Sequence, residues 1–385
     1  MKRLLVGALT LALGAIPATA QSLEDLNIQI HGYATQGFLF TTNNNILTTT
    51  SSNGSPDWTE AVVNVGAQPT PKLRVGIQAR YELLGNYSNA ITLDWVAADY
   101  KVNDKFGVRF GKVKVPYGLF NETQDIDPSY IWGLLPQSIY PIASRNGMLS
   151  TFGGVAYGTV DLVKMGKLDY RGWSGEVSLA PSDGYFVGFA EAGLVLPKGQ
   201  SNVKTGATLR WRTPLPGLMV GASDSRANSS ETPLTAGNGA LTGSFNITHY
   251  NQPDFFAKYE KDKLMVATEY NRTRTDITFQ FAGPVAAPTP IDTRALYAMT
   301  SYKLAEKLTV GTYYSQEFNR SDPLGPGRYQ KDWDVSGRYD FNQFLYAKAE
   351  QHFLDGTFLS YDADLNPNGL KPTTKLTVLK MGVSF

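Results

Sequence analysis

The run KLRVGIQARYELL at residues 72–84 places Leu73, Val75, Ile77, Ala79, Tyr81 and Leu83 on one parity. Arg74, Gln78, Arg80 and Glu82 fall on the other. Side chains of an extended chain point to alternate faces, so the segment reads as a strand with one apolar and one charged face. Similar segments recur at 27–40, 57–68, 72–84, 89–101, 105–115, 150–163, 167–179, 203–213, 217–227, 252–261, 264–276, 292–304, 307–319, 330–341, 344–354 and 374–385. That makes sixteen, an even number, with SFNITHY at 244–250 a candidate extension of the tenth.

The connectors sort by length. Tight turns fall at 69–71, 102–104, 164–166, 214–217, 262–263, 304–306 and 342–343, alternating with longer loops at 41–56, 116–149, 180–202, 228–251, 277–291, 320–329 and 355–373. Only 85–88 breaks the rule. Short turns at one rim and long loops at the other are the layout of an antiparallel barrel crossing a bilayer. A closed sheet pairs every backbone amide in hydrocarbon, and no stretch after residue 20 is apolar for long enough to form a spanning helix. The predicted fold is therefore all-β, a transmembrane antiparallel barrel of about sixteen strands, with apolar faces on lipid and polar faces on an aqueous lumen. Trp58, Trp95, Tyr100, Trp211, Tyr302, Trp333 and Tyr339 lie near strand ends and are candidates for an interfacial aromatic girdle.

The ends agree. Lys2 and Arg3, an apolar run to Ile16 and the Ala18-Thr19-Ala20 pattern form a secretory signal peptide over 1–20, leaving 21–385 as the barrel. Without Lys2 and Arg3, 33 basic residues stand against 34 acidic ones, which gives no sign of a nucleic-acid partner. There is no cysteine, so no disulfide stabilises the chain. The final strand ends on Phe385, which is similar to the terminal aromatic signal read by the barrel-assembly machinery of the outer membrane.

Sixteen strands enclose a lumen too wide for side chains to fill. The longest loop, 116–149, carries Glu122, Asp125, Asp127 and Tyr130, and then the amphipathic piece SYIWGLLPQSIYP. It reads as a constriction loop folded inward, its aromatic and leucine side chains on the wall and its carboxylates in the water path. Basic residues on the polar faces would oppose it: Arg74 and Arg80, Arg109, Arg210 and Arg212, Arg338, Lys348 and Lys380. Rings of charge are how pores select ions.

The segment VRFGKVKVPYGLFNE, 108–122, resembles the entry to the third loop of trimeric bacterial outer-membrane porins, most of all the phosphate-selective and dicarboxylate porin-like group. The resemblance implies a homotrimer in outer-membrane lipid, each barrel a passive route for small hydrophilic solutes or ions. The third loop lacks that group's dense lysine cluster, so small anions such as carboxylates are as much expected as phosphate.

Catalytic patterns are missing. There is no G-x-S-x-G elbow, P-loop or H-E-x-x-H, and the histidines are His31, His249 and His352. Glu122-x-x-Asp125-x-Asp127 lacks the glycine and distal glutamate of a calcium loop and reads as loop acids. The sequence thus points to a non-enzyme without cofactor or metal. A phospholipase-like barrel, or an adhesive barrel binding through its long loops, are the alternatives.

Overall fold

The computed structural model describes residues 26–322, 324–358 and 361–385; the signal peptide expected at 1–20 lies outside them. The described strands are β1 (Gln29–Thr41), β2 (Ser55–Thr70), β3 (Leu73–Leu84), β4 (Ser88–Asn103), β5 (Phe106–Lys114), β6 (Ser150–Asp161), β7 (Lys167–Leu179), β8 (Leu194–Val195), β9 (Gln200–Arg212), β10 (Leu218–Ala227), β11 (Ser230–Ala236), β12 (Leu241–Lys261), β13 (Leu264–Phe281), β14 (Thr289–Lys303), β15 (Leu308–Asn319), β16 (Tyr329–Asp340), β17 (Leu345–Gly356) and β18 (Thr373–Ser384). β8 and β11 are short pairings within the long loops, and the other sixteen run antiparallel around one closed barrel.

Closure is made by β1 on β18, in register from Tyr33 opposite Ser384 to Thr41 opposite Leu376. Gly32 and Phe385 extend it with two backbone hydrogen bonds, each 3.0 Å. Glycine is required here: a Cβ at residue 32 would lie 2.7 Å from Phe385 Cζ and 2.6 Å from the Val62 carbonyl oxygen.

Burial in this chain is inverted relative to a water-soluble domain. Ile91 is 78% exposed, Val335 60% and Phe255 58%, while Asp254 and Asp334 are fully buried. Isolated apolar side chains on a surface mean little, but a continuous band of them marks a face that meets something apolar. The same parity carries Val75, Ile77, Leu93, Phe110, Phe152, Leu209, Val266, Leu379 and Met381, as expected for the lipid face of a membrane barrel.

Two strands are longer than the sequence pattern indicates. β12 begins at Leu241 and so includes the SFNITHY segment, and β13 runs on to Phe281. Their outer ends hold an apolar cluster, Leu179, Phe186, Leu196, Leu234, Phe245 and Ile247, built with the 180–199 loop and β11. Packing between loops extends the hairpin there, so the bilayer period no longer marks its end.

The girdle needs correction at two positions. Tyr100, Trp211, Tyr302, Trp333 and Tyr339 are exposed on the outer face, but Trp58 is buried inside. Trp95 also turns inward, lining a cavity with Gln78, Asp99 and Arg109. A β-bulge where β4 passes Gln78 and Ala79 shifts parity by one residue, which turns both Asp94 and Trp95 away from lipid.

Candidate functional site

Between β5 and β6 the chain spans residues 115–149 with only single turns of helix, at Asp127–Ser129, Ile142–Ser144 and Arg145–Met148. Side chains therefore have to fix its shape. Asn121, fully buried, donates 2.9 Å bonds to the carbonyls of Val115 and Met148, tying the two ends of the loop together. Its apolar residues Leu119, Phe120, Ile131, Trp132, Leu135, Ile139 and Tyr140 cluster with Phe256, Ala267, Ala295, Tyr297, Met299 and Tyr313 of β12–β15. Each large side chain so buried contributes roughly 1.5–3 kcal/mol.

A polar seam lies beside this apolar one. Glu269 on β13 accepts from Tyr140 and Tyr297, both at 2.7 Å, and from the Leu119 amide at 3.1 Å. Trp132 Nε1 donates to Asp334 at 2.9 Å, and the Gly133 amide donates to Glu350. Arg338 donates to the carbonyls of Pro128 and Tyr130.

The acids expected in the water path are placed differently. Asp127 is buried, with Lys348 at 3.0 Å, Lys380 at 2.7 Å and the Tyr346 hydroxyl at 2.6 Å. Burial alone would raise its pKa; Lys348 and Lys380 outweigh that and hold the carboxyl below the ordinary carboxylate range. Asp125, also buried, pairs with Lys114 at 2.7 Å and accepts from Gln78 at 2.5 Å. Only Glu122 is part-exposed, and it meets Arg171 and, at 3.5 Å, Arg210. Tyr130 rests edge-on against Phe120, ring centroids 5.5 Å apart.

The basic residues divide into two groups. Arg80, Lys348 and Lys380 are at most 3% exposed and belong to ion-pair clusters beneath the loop rather than to an open path. Lys380 bridges Glu60 and Asp127 at 2.7 Å each and lies 4.1 Å from the Trp58 ring, which explains that tryptophan's inward position. Arg80 stands between Glu60, Glu82 and Asp94, and Arg145 from the far end of the loop grips Asp94 through two bonds of 3.0 and 3.2 Å.

The second group keeps contact with solvent. Arg74 is exposed, Arg109 pairs with Asp99 at 2.8 Å, Arg212 with Asp169 at 2.6 Å, and Arg338 with Asp340 at 2.8 Å. A cavity of about 490 Å³ lies where Asn64, Arg74, Asp99, Arg109, Lys114 and Ile126 converge. Sequence parity missed Arg171 and Lys114. Arg171 alternates with the inward Trp173 but stands in no conspicuous motif, and Lys114, five residues after the inward Arg109, falls on the opposite parity.

These features define a class: a sixteen-stranded barrel of the porin fold with a long loop bound to its polar wall. Solved structures agree. The chain superposes on an anion-selective porin from Comamonas acidovorans (TM-score 0.58, 11% identity, 93% of this chain and 99% of that one). It also superposes on the outer-membrane channel DcaP of Acinetobacter baumannii (0.54, 10%, 96% and 100%) and on the trimer form of Vibrio cholerae OmpT (0.53, 14%, 93% and 99%). No curated protein sequence matches the chain.

More specifically, residues 69–127 match the family model of phosphate-selective porin O and P, and the chain resembles that porin-like group. The match runs from the end of β2 through β5 to Asp127, and so includes the 108–122 segment and the loop acids. The family model, the Comamonas porin and the Acinetobacter channel are channels rather than enzymes.

Proposed function

We propose that the chain is a passive outer-membrane porin for small hydrophilic solutes, constricted by residues 116–149 and moderately selective for small anions such as carboxylates or phosphate. The observation that carries this reading is the uneven pairing of charges that still meet water. Arg171 and Arg210 share the single carboxylate of Glu122, and Arg74 and Arg109 stand beside Asp99 alone. Excess positive charge in a narrow low-dielectric passage raises the local concentration of anions.

The buried pairs of Asp127, Asp94 and Asp125 act differently. They hold the loop in place and contribute no net field to the path. On this reading the acids fix the aperture and the exposed arginines set its preference. Export through residues 1–20, insertion by the barrel-assembly machinery through Phe385, and a homotrimer in outer-membrane lipid complete the proposal.

The reversal potential across a KCl gradient in planar bilayers tests it. The sign for chloride preference is expected; a cation-selective potential would remove the anion reading, and folded protein that never conducts would remove the porin. An adhesive barrel has no specific observation in its favour.

A further inference from the structure

We propose that Asp334, Glu350 and His352 form a binding site for one divalent transition-metal ion, of which Zn²⁺ is the natural probe, in the wall directly behind the loop. Glu350 and His352 share the inward face of β17, and Asp334 is the cross-strand partner of His352 on β16. All three are at most 2% exposed.

The spacing of the donor atoms suits a metal. His352 Nε2 lies 3.2 Å from Glu350 Oε2 and 3.7 Å from Asp334 Oδ2, and the three donor atoms are within 4.8 Å of one another. Zinc bonds of about 2.0–2.2 Å at tetrahedral angles separate ligand atoms by roughly 3.3–3.6 Å. The side chains are thus close to a coordinating arrangement before any ion enters.

The surrounding contacts point the same way. His352 Nδ1 lies 3.0 Å from Asp332 Oδ2, and Asp332 in turn accepts from the Tyr313 hydroxyl at 2.9 Å. A carboxylate on the far nitrogen keeps a proton on Nδ1, so that release of the Nε2 proton as an ion enters presents that lone pair to it, the arrangement that supports metal-bound histidines. Asp334 Oδ1 is oriented by Trp132 Nε1 at 2.9 Å and Ser336 at 2.7 Å, and Glu350 Oε1 by the Gly133 amide.

Charge supplies a third argument. Three carboxylates, Asp332, Asp334 and Glu350, surround a single imidazole in a buried position. Lys348, on the same face, is already engaged by Asp127 and by the carbonyls of Asp127 and Trp132. One imidazolium offsets one of the three negative charges, and buried charge left unpaired is costly. A divalent ion that displaces the Nε2 proton would offset two of the three charges instead of one. Because Trp132 and Gly133 hold two of the metal's ligands, loading would also fasten the loop to β16 and β17.

The test uses the full chain in detergent, stripped with a chelator and shown to be folded by heat-dependent gel migration. After ZnCl₂ addition and dialysis, elemental analysis should find one zinc per chain, and the melting temperature should rise. Glu350→Gln and His352→Gln should retain none. Asp332→Asn, which spares all three ligands, should bind 10–100-fold more weakly. His249→Gln, at an exposed residue, should bind as wild type does. Folded wild type that keeps no zinc and melts at the same temperature with and without it overturns the proposal, leaving His352 as an imidazolium counter-ion. So does His352→Gln protein that binds as much zinc as wild type. Should that variant fail to fold, Asp332→Asn and the zinc dependence of wild-type melting decide.

Discussion

Asp127→Asn isolates the contact on which the constriction reading depends. The substitution keeps size and one acceptor but removes the charge that faces Lys348 at 3.0 Å and Lys380 at 2.7 Å. Lys380 retains Glu60 at 2.7 Å. Lys348 is left with two carbonyl oxygens and no carboxylate in contact. Removing one partner of a buried ion pair costs about 3–5 kcal/mol, and the retained acceptor places this case near the lower end. About 3 kcal/mol multiplies the detached population of the loop roughly 100-fold. Single-channel recordings should therefore show frequent steps between conductance levels that are rare in wild type. Asp127→Leu combined with Lys348→Met removes both charges and should restore quiet openings, because an apolar replacement of a buried pair is often neutral. The pH dependence has a definite sign. A carboxyl held below its free value of about 4 keeps its full contribution above that pH and loses it only as pH falls through the lower value of the docked state. Wild-type openings should stay quiet from about pH 7 to about pH 4 and become noisy below. Folded Asp127→Asn protein with unchanged conductance and gating would refute the view that this pairing anchors the loop.

Other outcomes are expected. Glu122→Gln frees Arg171 and Arg210 from their shared carboxylate and should shift the reversal potential further toward chloride; Arg74→Glu, at an exposed position, should shift it the opposite way. Glu269→Leu leaves the Tyr140 and Tyr297 hydroxyls without their acceptor, while the Leu119 amide keeps the Tyr140 oxygen, and at about 1–3 kcal/mol for each buried unpaired group should lower the melting temperature and speed proteolysis within 115–149. Gly32→Val drives a side chain into Phe385 and the Val62 carbonyl at the closing seam and should abolish heat-resistant barrels on gels. Phe385→Ala spares the seam's backbone bonds, so it should refold in detergent yet accumulate poorly in the outer membrane of cells.

Most of the barrel was legible because the bilayer imposes one rule on every strand. Residues 167–179 were bounded as observed, and the other strands largely to within a few residues, since apolar and polar faces must alternate wherever lipid and water lie on opposite sides. The rule fails where its cause ends. β12 and β13 run past the expected ends because the 180–199 loop packs on them; SFNITHY at 244–250 stood out as a candidate extension of the first, and nothing marked the second. Trp58 was legible too, since it shares parity with the inward Glu60; its aromatic character suggested the girdle, and Lys380 decided otherwise. Trp95 was not, because a bulge changes parity without leaving a clear sign in composition.

Residue order alone was enough for the barrel, the inner and outer face of each strand, the long loop and the chemical types on each face. All of these follow from local alternation and loop length, properties of neighbouring residues under one solvent rule. Which charges face water and which cancel emerges only once the chain is folded. Asp127 and Lys380 lie 253 residues apart, and Trp132 and Asp334 lie 202 apart. Contacts across a closed lumen depend on the height and azimuth of each side chain, and parity carries neither.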